Sequence, residues 1–474
     1  NGALLADDMG LGKTLQTLAF LAWVQEQCDR GSKPFLVVAP TGLLRNWEAE
    51  EDLHLSRPGL GQLFRAYGPD LKELAQMRLS ERHRRLAQTD WVMTTYETLR
   101  DRINLFVDIH WGVVVYDEVQ KIKNPTSLTH DMAKSVHADF YLALTGTPVE
   151  NRIADIWSIM DTIAPGQLGS LKAFESFYEK ASTSEESDSA GQLSSLRSQL
   201  LEEHPPTRVL RRMKEDHLSG LPSIQQNRIE KVMPDRQTAA YDAIVDQVQN
   251  AEVGPGSTLK ALQHLRRVSL LPEDPGPEGI TDETVQSSAR LTGLFQVVDD
   301  IANSDQKVLV FIEYREIQDL LIQYIQQRYS MQRPPLRING QTSGHRRQKI
   351  VEEFQQADRT QFDLFLLSPK AAGVGLTLTA ANNVVHLSRW WNPAVEDQCT
   401  DRVYRIGQDR AVSVHYPMAI HPRYQDASFD RNLHKLLERK RSLSKQLLAP
   451  SDCDDQELEQ LLDSSLAPSG KNYN

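Results

Sequence analysis

Short, wholly apolar segments alternate with amphipathic stretches in the first third of the chain. The apolar segments lack the polar alternation of a strand with one wet face, so they predict strands that are buried on both faces. The stretches between them carry apolar residues at helical spacing. The predicted strands are Gly2–Asp7, Phe35–Ala39, Trp91–Thr94, Val113–Tyr116 and Tyr141–Leu144. Strands and helices in alternation predict an α/β lobe with a parallel sheet.

The same alternation returns in the second half of the chain. Its predicted strands are Val308–Ile312, Leu336–Ile338, Leu364–Leu367, Val384–Leu387 and Val412–Tyr416. We therefore expect two tandem α/β lobes, over 1–230 and 231–445. Polar segments predict surface loops on helical insertions, at about 165–215 in the first lobe and about 236–290 in the second. The acidic tail, 446–474, has one short helical pattern and is expected to be peripheral.

Length and composition narrow the class of protein. A chain of 474 residues is too long for one ordinary domain, and its 40% hydrophobic and 25% charged residues are typical of a soluble globular protein. There is no apolar run of about 18 residues that would cross a membrane. The three cysteines show no paired spacing and no signal peptide is visible, so we expect a cytoplasmic protein.

The net charge of -11 argues weakly against a nucleic-acid partner. Basic clusters nevertheless occur at 82–85, 208–214, 345–349 and 439–445. Each cluster can equally be the solvated face of a helix, and it becomes a binding patch only where the fold gathers it with others.

The start of the chain carries a further expectation. The first residue is Asn1 rather than methionine, and a glycine-rich loop begins within the first ten positions. We therefore expect that an upstream segment is missing, and that it would offer a site for a protein partner.

The glycine-rich loop ADDMGLGKT lies between a predicted strand and a predicted helix, which is the context of a phosphate-binding loop. Its glycines let backbone N–H groups face phosphate, Lys13 would reach the β- and γ-phosphates, and Thr14 would offer its hydroxyl to Mg²⁺. A glycine-rich turn without a ligand is the alternative. Asp7 stands where the general pattern has its first glycine, so the entry to the turn must differ. The candidate ATP-binding residues are Asp8, Met9, Gly10, Leu11, Gly12, Lys13 and Thr14.

The segment VVVYDEVQ ends an apolar strand with two acids. Acids at such a place are often solvated loop residues, but a phosphate loop requires acidic partners. Asp117 suits coordination of Mg²⁺, and Glu118 suits activation of water. Loop and acids together predict an ATPase whose cofactors are ATP and Mg²⁺.

Long motifs extend the pattern along most of the chain. DDMGLGKT, VVAPTGLLRNWEAE, TTYETLR, DEVQKIKNP and LTGTPVENR resemble, in order, the helicase motifs of the Swi/Snf family of superfamily-two helicase-like ATPases. RINGQTSGHRRQKIVEEF, LLSPKAAGVGLTLTAANNVVHLSRWWNPAVEDQ and TDRVYRIGQ resemble that family's remaining motifs. The resemblance spans Leu4 to about Val414 and implies two tandem RecA-like lobes.

The resemblance also implies roles for particular residues. Lys13 and Thr14 would bind ATP and Mg²⁺, Asp117 would hold Mg²⁺, and Glu118 would be the catalytic base. Gln120, where many relatives have histidine, would relay the nucleotide state to 145–147. Val119 replaces the family's usual small residue without consequence for the chemistry.

In the second lobe, Arg402 and Arg405 are three residues apart, so a helix would place both on one face and let them cross an interlobe cleft. A salt-bridged surface face is the alternative reading of this spacing. The family motif favours arginine fingers, with Gln398 in the same site. Gly375 would permit close approach to the ligand.

DNA contacts follow from the resemblance alone. The candidates are Thr41, Arg45, Thr94, Thr95, Asn339, Gln341, Lys370 and Trp390. For the adjacent Trp390 and Trp391, the alternative to a role in DNA contact is that one side chain lies in the core and the other at the surface. Hydroxyl and amide groups at strand ends suit phosphate contacts, which carry little sequence preference.

Three functions remain open at this stage. The first is a double-stranded DNA translocase that remodels protein–DNA complexes or DNA topology. The second is a strand-separating helicase, although no segment announces a wedge, and the third is a nucleotide-gated DNA-binding switch in a defence or transcription complex. The acidic balance and compact insertions favour a bacterial, nucleoid-associated member.

Overall fold

A computed structural model describes most of the chain. The described residues are 1–27, 33–149, 153–179, 195–202, 207–214, 220–250, 256–356, 361–372, 376–444 and 455–466. The chain divides into two compact units, Asn1–Ser219 with Leu443–Ser451 and Gly220–Ser442 with Asp452–Asn474. In the described part, every helix is too short or too polar to cross a bilayer.

The first unit is built on a parallel sheet of seven strands. They are β1 (Gly2–Leu5), β2 (Phe35–Val38), β3 (Leu63–Arg65), β4 (Trp91–Thr94), β5 (His110–Asp117), β6 (His137–Leu144) and β7 (Val209–Leu210). Their order across the sheet is β3-β4-β2-β5-β6-β1-β7. All four residues of β2 are buried, as are Val113–Tyr116 of β5, so the prediction of two-sided burial is confirmed here.

Helices cover this sheet and supply the other half of its core. They are α1 (Lys13–Gln27), α2 (Leu44–His54), α3 (Gly68–Leu74), α4 (Leu79–Ala87), α5 (Tyr96–Asp101), α6 (Leu128–Lys134), α7 (Ala154–Ile163) and α8 (Leu171–Phe174). α7 is buried almost throughout and packs against β1 and β6. The hydroxyls of Thr95, Ser127 and Ser170 cap the starts of α5, α6 and α8 by accepting a backbone N–H.

The second unit has a parallel sheet of six strands. They are β8 (Ile224–Val232), β9 (Lys307–Phe311), β10 (Leu336–Ile338), β11 (Asp363–Leu367), β12 (Asn383–His386) and β13 (Val412–Ile420). The order is β10-β11-β9-β12-β13-β8. β8 pairs with β13 over nine residues and forms an edge of the sheet, which explains its polar sequence.

The helices of the second unit include the predicted insertion and a packed tail. They are α9 (Asp235–Asn250), α10 (Ser257–Leu270), α11 (Asp282–Gln286), α12 (Ala289–Asn303), α13 (Arg315–Arg328), α14 (Gly344–Gln356), α15 (Pro369–Ala372), α16 (Pro393–Thr400), α17 (Phe429–Ser444) and α18 (Asp455–Leu466). α18 buries Leu461 and Leu462 in the cluster that α9, α10 and α17 also form. The ammonium of Lys440 on α17 lies 2.5 Å from the Glu457 carboxylate, and both side chains are nearly buried.

Candidate functional site

The carboxyl ends of three adjacent strands bring the predicted nucleotide site together. β1, β6 and β5 are neighbours, and their last residues pair in register, Leu5 with Leu144 and Leu144 with Asp117. The phosphate loop follows β1, Thr145 follows β6, and Glu118 follows β5. Parallel strands place these loops at one edge of the sheet, which is where ligands bind in open α/β sheets.

The phosphate loop has the backbone that its glycines predicted. Gly10 and Gly12 take φ angles of 84° and 74°, in the left-handed region that favours glycine. Helix α1 begins directly afterwards at Lys13. The Lys13 ammonium donates to the backbone carbonyls of Asp7 at 2.8 Å and Asp8 at 3.3 Å. Burial lowers the pKa of Lys13, while the carboxylates of Glu118 and Asp117 oppose that shift.

The acid pair, Asp117 and Glu118, is held by hydrogen bonds that could not be predicted from the sequence. One carboxylate oxygen of Asp117 accepts from the indole N–H of Trp47 at 2.8 Å, and the other accepts from the backbone N–H of Glu118 at 2.9 Å. Burial raises the pKa of Asp117 to about 7, Glu118 adds to the rise, and Trp47 and Lys13 oppose it. Glu118 itself has φ of 50°, an uncommon value for a residue with a side chain, which sets its carboxylate at the strand end.

A chain of hydrogen bonds connects the acid pair to the loop after β6. The Gln120 amide donates to the Glu118 carboxylate at 2.7 Å, and the Thr145 hydroxyl donates to the Gln120 carbonyl oxygen at 2.9 Å. The backbone N–H of Thr147 then donates to the Thr145 hydroxyl at 3.0 Å. These are the residues that the resemblance linked as a relay.

Gly146 brings that loop close to the phosphate loop. A β-carbon at this position would lie 2.8 Å from Cγ of Met9 and 3.7 Å from Nζ of Lys13. The first distance is shorter than van der Waals contact allows, so a glycine is required for the approach.

The donor set at this edge fits Mg²⁺. Thr14 offers a hydroxyl and Asp117 a carboxylate, and hard oxygen ligands are those that Mg²⁺ prefers. Among the described residues there is no group of three or more His, Cys, Asp or Glu side chains that could hold a metal alone. A Mg²⁺ ion would therefore need further oxygens from phosphate and water, as is usual at nucleotide sites.

In the second unit, the prediction that Arg402 and Arg405 lie on one face of a helix is wrong. α16 ends at Thr400, and Arg402 and Arg405 lie in the turns that follow it. The backbone carbonyl of Arg402 accepts from the N–H of Leu378 at 2.8 Å, a contact outside the helix. Arg402 is buried and Arg405 is half-buried. Gln398 is half-buried on α16, whereas Gly375 lies outside the described residues.

The candidate DNA residues of the first unit fall into two groups. Thr41 and Arg45 are exposed, just beyond β2 and at the start of α2. Thr94 is fully buried and its hydroxyl donates to the Ala66 carbonyl at 3.1 Å, while the buried Thr95 caps α5. The hydroxyls of the second group are therefore already used within the protein.

The candidates of the second unit divide in the same way. Asn339 is buried, and its side-chain oxygen accepts from the N–H of the exposed Gln341 at 3.1 Å, which shapes the turn after β10. Lys370 is exposed, with its ammonium 5.0 Å from the centre of the Trp390 ring. The buried Arg266 guanidinium lies 5.3 Å from the Trp390 ring and 5.4 Å from the Trp391 ring. Both tryptophans are half-buried, and the Arg266 guanidinium forms a cation–π contact with each ring.

A buried charge network stands behind the tryptophans. Glu396 on α16 is 2% exposed and accepts hydrogen bonds from the Arg389 guanidinium at 2.8 and 3.1 Å. It also accepts from the Arg441 guanidinium at 2.8 Å and from the N–H of Trp390 at 3.0 Å. Burial opposes ionisation of Glu396, but the two arginines outweigh it and hold its pKa well below its ordinary value. The network ties α16 to α17 and to the strand end after β12.

A phosphate loop after one parallel strand and two acids after a near neighbour define a class of nucleoside-triphosphate-binding α/β proteins. Within that class, the chain matches the SNF2-related domain over residues 1–273 and the helicase conserved C-terminal domain over residues 291–407. The chain belongs to the SNF2-related family. This confirms the resemblance seen in the motifs and the predicted fold of two tandem RecA-like lobes with parallel sheets.

Two bacterial relatives align with nearly the whole chain. The Zorya protein ZorD of Escherichia coli O139:H28 (strain E24377A / ETEC) is 35% identical, over 97% of this chain and 44% of that protein. The putative ATP-dependent helicase/translocase YwqA of Bacillus subtilis (strain 168) is 32% identical, over 97% of this chain and 48% of that protein. The chain thus spans just under half the length of these relatives.

A solved structure with the same coverage is the Sulfolobus solfataricus SWI2/SNF2 ATPase core in complex with dsDNA. It is 28% identical, with 97% of this chain and 92% of that chain covered, and the TM-score is 0.42.

Proposed function

We propose that this chain is the motor core of an ATP-dependent double-stranded DNA translocase, which remodels protein–DNA complexes or DNA topology. The observation that carries the proposal is the hydrogen-bond chain from Glu118 through Gln120 to Thr145. It joins Glu118, to which we assign the activation of water, to a loop that approaches the phosphate loop at Gly146, and a motor that converts hydrolysis into movement needs such a connection. Membership of the SNF2-related family and similarity to YwqA support the motor class.

The chemistry that we assign to the first unit is hydrolysis of the γ-phosphate of ATP. Lys13 would exchange its two carbonyl partners for β- and γ-phosphate oxygens, and the backbone N–H groups of 8–14 would cradle the phosphates. Thr14 and Asp117 would hold Mg²⁺, which supplies charge neutralisation to the phosphate oxygens when bound. Glu118 would accept the proton of the attacking water.

We assign stabilisation of the transition state to Arg402 and Arg405. A planar guanidinium suits the negative charge that develops on the equatorial phosphate oxygens. Gln398 belongs to the same motif and would contact the nucleotide. The helix end at Thr400 leaves these arginines in turns, where a change in the chain path can move them more easily than it could on a helix.

For DNA, we propose that the exposed candidates grip the phosphate backbone. Thr41, Arg45, Gln341 and Lys370 are accessible polar or cationic side chains near strand ends. The buried Thr94, Thr95 and Asn339 would act indirectly, by shaping the loops that present neighbouring groups. The Trp390 ring lies beside the Lys370 ammonium and would enlarge the surface that contacts the DNA. Backbone contacts position a protein without reading sequence, so we expect little sequence preference and a strong salt dependence.

The test of the proposal is ATP hydrolysis with double-stranded DNA, single-stranded DNA, RNA or no nucleic acid. We expect duplex to stimulate hydrolysis most, and Glu118→Gln to lower the stimulated rate by about 10²- to 10⁴-fold because it removes the general base. Lys13→Ala serves as a second control that removes phosphate binding. Rates that do not respond to duplex would refute the proposal and turn attention to RNA or to a protein partner.

A strand-displacement assay separates the translocase from a strand-separating helicase. A partly duplex substrate with one labelled strand is incubated with ATP. We expect no release of the strand, because no segment of the sequence is typical of a strand-separating wedge. ATP-dependent release would establish the helicase instead. The relatives ZorD and YwqA are bacterial, and we propose that this chain also acts on bacterial DNA.

A further inference from the structure

A second segment of the first unit runs beside the phosphate loop itself. β7 ends at Leu210, but the hydrogen-bond ladder with β1 continues beyond it. The N–H of Ala6 donates to the carbonyl of Leu210 at 2.7 Å, and the N–H of Asp8 donates to the carbonyl of Arg212 at 3.0 Å. The last hydrogen bond lies within the phosphate loop. The segment therefore fixes the path of the loop as well as that of the strand.

Asp7 is the anchor of this contact. Its side chain is fully buried, and its carboxylate accepts from the backbone N–H of Arg212 at 2.9 Å. The Arg212 guanidinium donates to both carboxylate oxygens, with Nε distances of 3.2 and 3.1 Å and a further contact from Nη2. A buried carboxylate needs such a countercharge, because an isolated one is very costly in an apolar interior. Asp7 can thus replace the glycine of the general loop pattern because Arg212 is present.

The same guanidinium reaches the other end of the loop. Its Nη2 donates to the side-chain oxygen of Gln16 on α1, and the Gln16 amide donates to the carbonyl of Leu11 at 2.9 Å and to Asp7 at 3.3 Å. One side chain therefore ties together the loop's entry, its middle and the helix that follows. The backbone N–H of Lys214 adds a contact to the Asp8 carboxylate at 3.1 Å.

We propose that Arg212 is a positioning residue for nucleotide binding, which acts through Asp7 and Gln16 to hold the phosphate loop in its binding shape. The proposal rests on the proposed function, which places ATP on the phosphate loop.

The first experiment measures the affinity of the whole chain for a fluorescent ATP analogue with Mg²⁺, without DNA. We expect Arg212→Met to weaken binding about tenfold, which is the lower end of the effect of losing a partner that orients a metal ligand. Arg212→Lys keeps a charge for Asp7 but not the fork that reaches Gln16, so it should recover part of the affinity. Binding by Arg212→Met within twofold of the wild type would overturn the proposal.

Arg328→Met is the control for loss of an arginine at the protein surface. The Arg328 guanidinium also forms a two-point contact with a carboxylate, that of Asp299, at 3.2 and 2.8 Å. Its side chain is 33% exposed, against 34% for Arg212, but it lies on α13 of the second unit and its partner is 40% exposed, whereas Asp7 is fully buried. We expect Arg328→Met to bind nucleotide as the wild type does. Equal weakening in both variants would show a general loss of structure and overturn the role of Arg212.

Hydrolysis by the wild type with and without duplex tests the proposed function separately. If the wild type ignores duplex, the proposed function fails, and the nucleotide-binding experiment still decides the positioning role of Arg212.

Discussion

Replacing Glu396 by glutamine should destabilise the second unit strongly, because Glu396 neutralises the buried Arg389 and the half-buried Arg441. The neutral amide keeps the size of the side chain but removes its charge. Arg389 is 1% exposed, and after the change no carboxylate faces it: its partners are the neutral amide oxygen, the Nδ1 atom of His434 at 3.2 Å and the ring of Tyr416. Arg441 keeps the Asp397 carboxylate, so most of the lost charge compensation falls on Arg389.

Breaking a buried pair by removing one partner costs about 3–5 kcal/mol, because it leaves an uncompensated charge in the interior. Since Arg441 retains a partner, we expect the free energy of unfolding of the second unit to fall by the lower end of this range, about 3 kcal/mol. For a unit of this size, that corresponds to a fall of roughly 6–12 °C in melting temperature.

Hydrogen exchange followed by mass spectrometry is the suitable assay, because it reports each unit separately. Amides in β12, β13 and α16 should exchange faster in Glu396→Gln, while those of the first unit keep their rates. Glu73→Gln is the control, since its ion pair with Arg85 is exposed, and we expect a change below about 1 kcal/mol. Unchanged exchange in the second unit of Glu396→Gln would refute the reasoning.

Three further predictions follow from single contacts. Trp47→Phe removes the N–H that stabilises the ionised Asp117, so we expect half-saturation of hydrolysis to need about tenfold more Mg²⁺, and an unchanged Mg²⁺ dependence would contradict this. Burial lowers the pKa of His415 to about 4, so its contribution to stability is full above about pH 6.5 and is lost as the pH falls toward 4. The free energy of unfolding in urea should therefore change less between pH 7 and pH 5 in His415→Leu than in the wild type. An equal change in the two proteins would contradict the role given to His415. Leu461→Ser removes a buried leucine from α18, so limited proteolysis should release the C-terminal helix, and wild-type resistance would show that this packing is dispensable.

Most of the fold could be predicted because the buried strands are continuous apolar runs. Each of the ten predicted strands overlaps a strand of the structure. β8 was missed because it lies at a sheet edge, where its polar residues face solvent and give no apolar run. β7 was missed because it has only two residues, too few to show a pattern of apolar and polar positions. In the tail, an acidic composition concealed the leucines that pack α18.

The nucleotide site was predictable in its chemistry but not in its supports. Glycine spacing and the acids at a strand end are local patterns, so the sequence displays them. The pairs Trp47 with Asp117 and Asp7 with Arg212 join positions 70 and 205 residues apart, and only the sheet brings them together. The helical placement of Arg402 and Arg405 was wrong: the helix ends at Thr400, and the Arg402 carbonyl bonds to Leu378 rather than within a helix, a tertiary contact that a three-residue spacing does not show.

The most direct test of the central claim is displacement of a third DNA strand from a triplex by the protein with ATP. A translocase that moves along duplex strips the third strand without separating the other two, so we predict ATP-dependent displacement that is lost in Glu118→Gln. Tight duplex binding that follows the nucleotide state without any displacement would contradict the translocase and establish a nucleotide-gated switch.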